Sequence, residues 1–202
     1  SSDLLGRAEI PWETVEAVID FLEPLHCSVD CFQNDRGLMA RKYYDRLEQY
    51  VTHPPSFALV KRTREPVDDL KEAVLAGGGS VQKLQAYFPD LELRPKVMEQ
   101  CKLVFPDLVQ AISMPANLEF NAPDATKGNG LRTLCRCLGI DPREAAAFGD
   151  GTNDLSLLQE AGIGVAMANG APETLAAADL TAPSNEEDGV AQILSRWFPP
   201  NT

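Results

Sequence analysis

The sequence is poor in positive charge: 18 lysines and arginines stand against 30 aspartates and glutamates in 202 residues, for a net charge of −12. Phosphate backbones are held by basic stripes, so nucleic acid is not the expected partner. No apolar run approaches the ~18 residues that a bilayer crossing needs, and the start shows no basic flank ahead of an apolar core. The expected location is therefore the cytoplasm with no membrane partner, an organelle being the alternative, and Ser1 as first residue leaves the native start open. Cysteines number five, which as an odd count argues against a disulfide framework. Cys27 and Cys31 have a ligand-like spacing, but they fall in a strand-like stretch with no histidine cluster beside them. With Cys135 and Cys137 they read as buried thiols. The two histidines, His26 and His53, stand alone and are offered neither as ligands nor as bases.

What is present is the composition of an ordinary globular protein, 44% hydrophobic and 24% charged, long enough to bury a sizeable core. Pro11 suits a first helical position, and Trp12, Val15, Val18, Ile19 and Leu22 follow at helical spacing. The pattern then predicts strands over 26–32 and 38–41 around a turn at 34–37, and a helix over 44–51. A strand over 57–60, a helix over 67–75, a glycine turn at 77–80 and a strand over 81–88 follow. Pro95 is expected to open a helix with Val97, Cys101 and Val104 on one face, ahead of strands over 108–113 and 117–121.

From Thr126 the chain alternates strictly. A helix with Leu131, Leu134, Cys135 and Leu138 at core spacing ends at Gly139, and strands are expected over 145–148, 163–167 and 180–182. Helices over 154–161, from Pro172, and with Val190, Ile193, Leu194 and Trp197 lie between and after them. Units of this length imply parallel strands, hence an α/β fold class: an α+β domain over 1–118 and part of a parallel core over 119–202.

The chemistry gathers at Gly149-Asp150-Gly151-Thr152-Asn153-Asp154, where a short apolar strand gives way to a helix. Carboxyl ends of such strands face ligand crevices, and hard cations such as magnesium take carboxylate, water and phosphate oxygens. Helix capping alone would account for one Asp or Asn here. Asp150 and Asp154 together favour a metal or phosphate site. Lys127 is the second candidate. It puts a cation at the positive end of a helix dipole beside the weak helix former Gly128, two breaches of local preference that suggest function. A solvated lysine is the alternative.

Lys127-Gly128, the loop 149–154, Ala161-Gly162-Ile163-Gly164-Val165-Ala166-Met167-Ala168-Asn169, Ala177-Ala178-Asp179 and Ser184-Asn185-Glu186-Glu187-Asp188-Gly189-Val190-Ala191, in this order, resemble the carboxyl-terminal half of the haloacid dehalogenase-like superfamily. Its Cof-type, sugar-phosphatase-like branch is the nearest in pattern, and residues 1–118 resemble that branch's cap domain. The resemblance implies a partial Rossmann-like core with an α+β cap. It also implies magnesium-dependent hydrolysis of phosphate monoesters of small metabolites such as sugar phosphates, through an aspartyl-phosphate. Asp150 and Asp154 would hold Mg2+ or its waters, Asn153 would orient the loop and the phosphate, and Lys127 would hold the transferring phosphoryl group. In the cap, Lys83 is the candidate for facing substrate, again with a solvated lysine as the alternative.

The family's Asp-x-Asp-Gly nucleophile motif has no counterpart, since no two aspartates are separated by one residue in this sequence. The chain is therefore expected to be inactive alone, as part of a longer phosphatase, as one half of a site shared with a second chain, or as a non-catalytic binding relative. A P-type pump phosphorylation domain shares the loop but not the 184–191 segment. In the family core a further strand lies beside residues 145–148, so an uncovered strand edge is expected here, open to self-association or to pairing with an amino-terminal segment.

Overall fold

The computed structural model describes residues 5–199, which divide into two compact units. One is Arg7–Pro123; the other runs from Asp124 onward and takes in Leu5 and Gly6. The expected boundary after residue 118 falls inside a strand, β6 (Asn117–Asn121), so the division moves to Pro123.

The Arg7–Pro123 unit is a six-stranded sheet with an apolar cluster packed on each face. Its strands are β1 (Ser28–Gln33), β2 (Arg36–Ala40), β3 (Arg64–Val67), β4 (Lys83–Tyr87), β5 (Val109–Ala111) and β6, in the order β3-β2-β1-β4-β6-β5. All pairs are antiparallel except β2 with β3. Gln33 pairs with Arg36, which leaves Asn34 and Asp35 as a two-residue turn. Their φ of 51° and 63° are those of a type I′ hairpin, the turn whose twist matches the strands. Alternation along β1 sends Val29 and Cys31 toward α1 (Trp12–Leu22), α4 (Leu70–Ala76) and α5 (Leu93–Val104), where Val18, Leu22, Val74 and Cys101 are fully buried. Each such aliphatic side chain contributes about 1.5–3 kcal/mol on burial.

Several expected elements shift. Residues 57–60 are helical, inside α3 (Pro54–Thr63), because Pro54 sets a helical first turn and Ser56 and Val60, one turn apart, are the buried positions. A four-residue apolar run does not distinguish strand from helix. The strand next to it is β3, which the sequence pattern missed because Arg64-Glu65-Pro66 is polar and carries a proline tolerated at a sheet edge. α4 therefore starts later than expected, at Leu70, with Asp69 capping through the Glu72 N–H. Residues 44–51 hold only the end of α2 (Arg41–Tyr44) and a 3-10 turn, Leu47–Gln49. The cysteines are free thiols; Cys27, Cys31, Cys101 and Cys135 are buried, whereas Cys137 is exposed.

The opposite face of the sheet carries a polar network. Arg64 lies over Gly37, where an added Cβ would sit 2.7 Å from its Cδ, and pairs with the fully buried Asp30. Arg64 also donates to Gln85 Oε1 (3.1 Å), and Gln85 donates to Glu119 Oε1 (2.7 Å). Lys83 belongs here. It opens β4, donates to Glu119 Oε1 at 3.1 Å and stands 4.6 Å from the Phe32 ring, so it is a paired cation and not a free one.

Burial pushes the Asp30 carboxyl up to about 6, against the pull of Arg64 and Lys83. A carboxyl raised on folding stabilises below its unfolded value, and that contribution is lost as pH rises through the folded value. Asp30→Asn is thus expected to gain relative to the parent by up to about 3 kcal/mol between pH 4 and 7, read from urea unfolding at several pH values. A difference that stays flat with pH would refute the assignment.

The second unit has β7 (Ala146–Gly149), β8 (Ile163–Met167) and β9 (Leu180–Ala182), all parallel and in chain order. Around them lie α6 (Lys127–Leu138), α7 (Leu155–Glu160), α8 (Pro172–Ala177) and α9 (Gly189–Trp197). Val165, Met167, Ala182 and Ile193 form the core, with Phe148 and Trp197 against it. The α6 stripe departs from expectation: Cys135 is buried, but Leu134 and Leu138 are 45% and 63% exposed. The spacing is that of a core face, yet no described element covers that end of it. β7 stands at the sheet edge, with β8 as its one neighbour among the described strands.

Candidate functional site

Asp154 organises the loop after β7. It closes a 3-10 turn, Thr152–Asp154, that leads into α7, and it is only 4% exposed. Its Oδ2 accepts from the backbone N–H of Asp150 and of Gly151, each at 3.0 Å, while Oδ1 is paired with Lys127 Nζ. Burial pushes the Asp154 carboxyl up. Lys127 and the two N–H groups outweigh that and hold it below the ordinary carboxylate value, so it stays ionised. Gly149 makes the fold-back possible, since a Cβ there would lie 2.4 Å from Asp154 Cβ.

Lys127 and Asp150 are thereby brought to one place, as the sequence suggested, through a carboxylate that both contact. Thr126 caps α6 by accepting from Asn129 N–H, and Lys127 opens the helix with its side chain half exposed. Gly128 has a different cause from the one expected. Its Cβ would lie 2.5 Å from the Ser156 carbonyl oxygen, so it is a close contact between α6 and α7. Asn153 is exposed, and its Oδ1 folds over Gly151, 2.6 Å from where a Cβ would be.

Asp150 is exposed, and its carboxylate is the open one. Its main-chain oxygen accepts from Ala171 N–H (2.8 Å), and its Oδ2 accepts from Asn185 Nδ2 (3.1 Å). Asn185 N–H in turn donates to Asn169 Oδ1 (2.9 Å). Asp150, Asn169 and Asn185 follow β7, β8 and β9 respectively, so the carboxyl ends of three parallel strands meet at one carboxylate. Sequence reasoning passed over both asparagines as site residues. The available signal was their place just beyond strand ends, within the segments that carried the family resemblance.

No group of three His, Cys, Asp or Glu residues able to cage a metal occurs among the described residues. The donor set fits magnesium all the same, because that ion keeps most of its waters and takes one or two carboxylates together with substrate phosphate. Asp150 offers a carboxylate oxygen. Asp154, already engaged on both oxygens, would contribute charge and water contacts.

The sequence matches the haloacid dehalogenase-like hydrolase family over residues 2–194. The chain belongs to that family. Within haloacid dehalogenase-like hydrolases, the Cof-type branch fits. A solved sugar phosphatase of subclass IIB, BT4131, superposes with a TM-score of 0.78 over 97% of this chain and 70% of that one, at 22% identity, a likeness of fold. The chain is 34% identical over 106 residues to 5-amino-6-(5-phospho-D-ribitylamino)uracil phosphatase YbjI of Escherichia coli, covering 52% of this chain and 39% of YbjI. It is 48% identical over 80 residues to the chloroplastic endoribonuclease YBEY of Arabidopsis thaliana, covering 40% of this chain and 14% of that protein. These matches thus span well under half the length of either relative. The resemblance read from residues 127–191 and the α/β fold class both hold. Among the described residues no helix is long and apolar enough to cross a membrane.

Proposed function

We propose that this chain carries the metal-holding and charge-neutralising half of a magnesium-dependent phosphatase acting on small phosphorylated metabolites such as sugar phosphates. The observation that carries the reading is the Lys127–Asp154–loop arrangement, which sets an ammonium group and the open carboxylate of Asp150 around one ionised side chain. Phosphoryl transfer asks a protein chiefly for positioning and positive charge against the equatorial oxygens. A bound Mg2+ would supply part of that charge. Lys127, half exposed, reaches the phosphoryl oxygens; Asp154 holds the ammonium group in place and shapes the loop; Asp150 binds the cation; Asn153 contacts the phosphate from the exposed turn.

The attacking carboxylate comes from outside these residues, since the sequence has no Asp-x-Asp pair. The edge of β7 that no described strand covers, together with the exposed Leu134 and Leu138, suits pairing with a further strand, whether from an amino-terminal segment or from a second copy. YBEY is named an endoribonuclease, but the match covers 14% of that protein, so its activity is not carried over to this chain.

The test is hydrolysis of an aryl phosphate with Mg2+. The 202-residue chain is expected to be inert, and a form joined to an Asp-x-Asp-Gly strand segment active. Turnover by the chain alone that disappears in Asp150→Ala would show that an attacking group is already present. An inert joined form that still binds Mg2+ and phosphate would favour the alternative, a non-catalytic binding relative.

A further inference from the structure

We propose that Asn185 is a positioning residue which, backed by Asn169, fixes the direction of the Asp150 carboxylate so that its open oxygen is preset for a cation. The inference rests on the reading of Asp150 as a metal ligand and adds the residues that aim it.

The backbone of Asp150 is held from two sides: its N–H donates to Asp154 Oδ2 (3.0 Å) and its carbonyl accepts from Ala171 N–H (2.8 Å). Its side chain is exposed, and an exposed carboxylate left alone samples several rotamers, a freedom that any ligand would have to remove. Asn185 Nδ2 limits that freedom by donating to Oδ2 at 3.1 Å. Asn185 is itself located by its main chain, whose N–H donates to Asn169 Oδ1 at 2.9 Å. The relay therefore runs from the loop after β8, through the loop after β9, to the carboxylate after β7.

The amide is the side chain that this task requires. A lysine or arginine in its place would neutralise Asp150 and compete with the cation, and an acid would repel it; a neutral donor orients one oxygen and leaves the charge intact. Of the acidic residues that follow, Glu187 is turned back onto its own turn. Glu187 accepts from Ser184 N–H (3.1 Å) and Ser184 Oγ (2.6 Å), which leaves Asn185 as the residue of this turn that meets Asp150.

Asn185→Ala is a clean probe, because the tie to Asn169 is made by the main chain and survives the substitution. Mg2+ binding to the 202-residue chain is measured by titration calorimetry, with the thermal midpoint read on the same samples. Asn185→Ala is expected to weaken Mg2+ about tenfold, the usual scale for losing a hydrogen bond to a metal ligand, with the midpoint moved by no more than about 2 °C. Asn169→Ala should weaken Mg2+ similarly, and the double variant no further than the stronger single, because both act on one line of contacts. Unchanged Mg2+ affinity in Asn185→Ala, while Asp150→Ala loses binding, overturns this inference and leaves the proposed function standing. Additive losses that track a falling midpoint would make the asparagines merely structural and overturn it too. If Asp150→Ala binds Mg2+ like the parent, or the parent binds none, the reading of the site itself fails and this inference falls with it.

Discussion

Asp154→Ala is expected to destabilise the unit from Asp124 onward by about 2–4 kcal/mol and to abolish Mg2+ binding at the loop. The substitution removes the common acceptor of the Asp150 and Gly151 N–H groups and the partner of Lys127. Lys127 is half exposed and regains water, so most of the cost lies with the two N–H groups left without their charged acceptor. Hydrogen exchange of the β7 and β8 amides reads this unit separately from the other. The pH dependence has a fixed sign. The folded carboxyl lies below its ordinary value, so its stabilisation is present above about pH 4 and is lost as pH falls through the folded value. The stability gap between the parent and Asp154→Asn should therefore narrow in acid. A gap that widened below pH 4 would mean that Asp154 is not held as the ion.

The second large effect separates two glycines of one helix. Gly128→Ala is expected to destabilise by about 3 kcal/mol, because its Cβ would lie 2.5 Å from the main-chain oxygen of Ser156 and α6 and α7 would have to move apart. Gly130→Ala, with nothing within 4 Å of its Cβ, should stabilise by about 0.5–1 kcal/mol through helix propensity alone. Thermal unfolding of the two variants decides it. If both shifted in the same direction, the close approach of α6 and α7 would not be what requires Gly128.

That pair also shows where sequence reasoning stopped. Gly128 was legible as an anomaly, a poor residue at a helix start, and the neighbouring lysine made function the natural cause. Helix packing is the cause, and it depends on a residue 28 positions away. The parallel unit was legible because its elements are short, strictly alternating and bounded by Gly or Pro; the strands over 163–167 and 180–182 have the expected limits. The Arg7–Pro123 unit was less so. Helix α3 and strand β3 are chosen by which sheet face and which edge they meet, and a four-residue apolar run holds neither fact.

By itself the sequence determined the family and the parallel unit and singled out Lys127, Asp150, Asn153 and Asp154 as candidates, because those depend on residue type and local spacing. Tertiary structure alone decided their division of labour. Asp154 turns inward as the organiser and Asp150 outward as the open carboxylate, and Asn169 and Asn185 reach Asp150 from two other strand ends. The physical reason is that hydrogen-bond partners 16 to 35 residues apart meet only when the three parallel strands bring their carboxyl ends together.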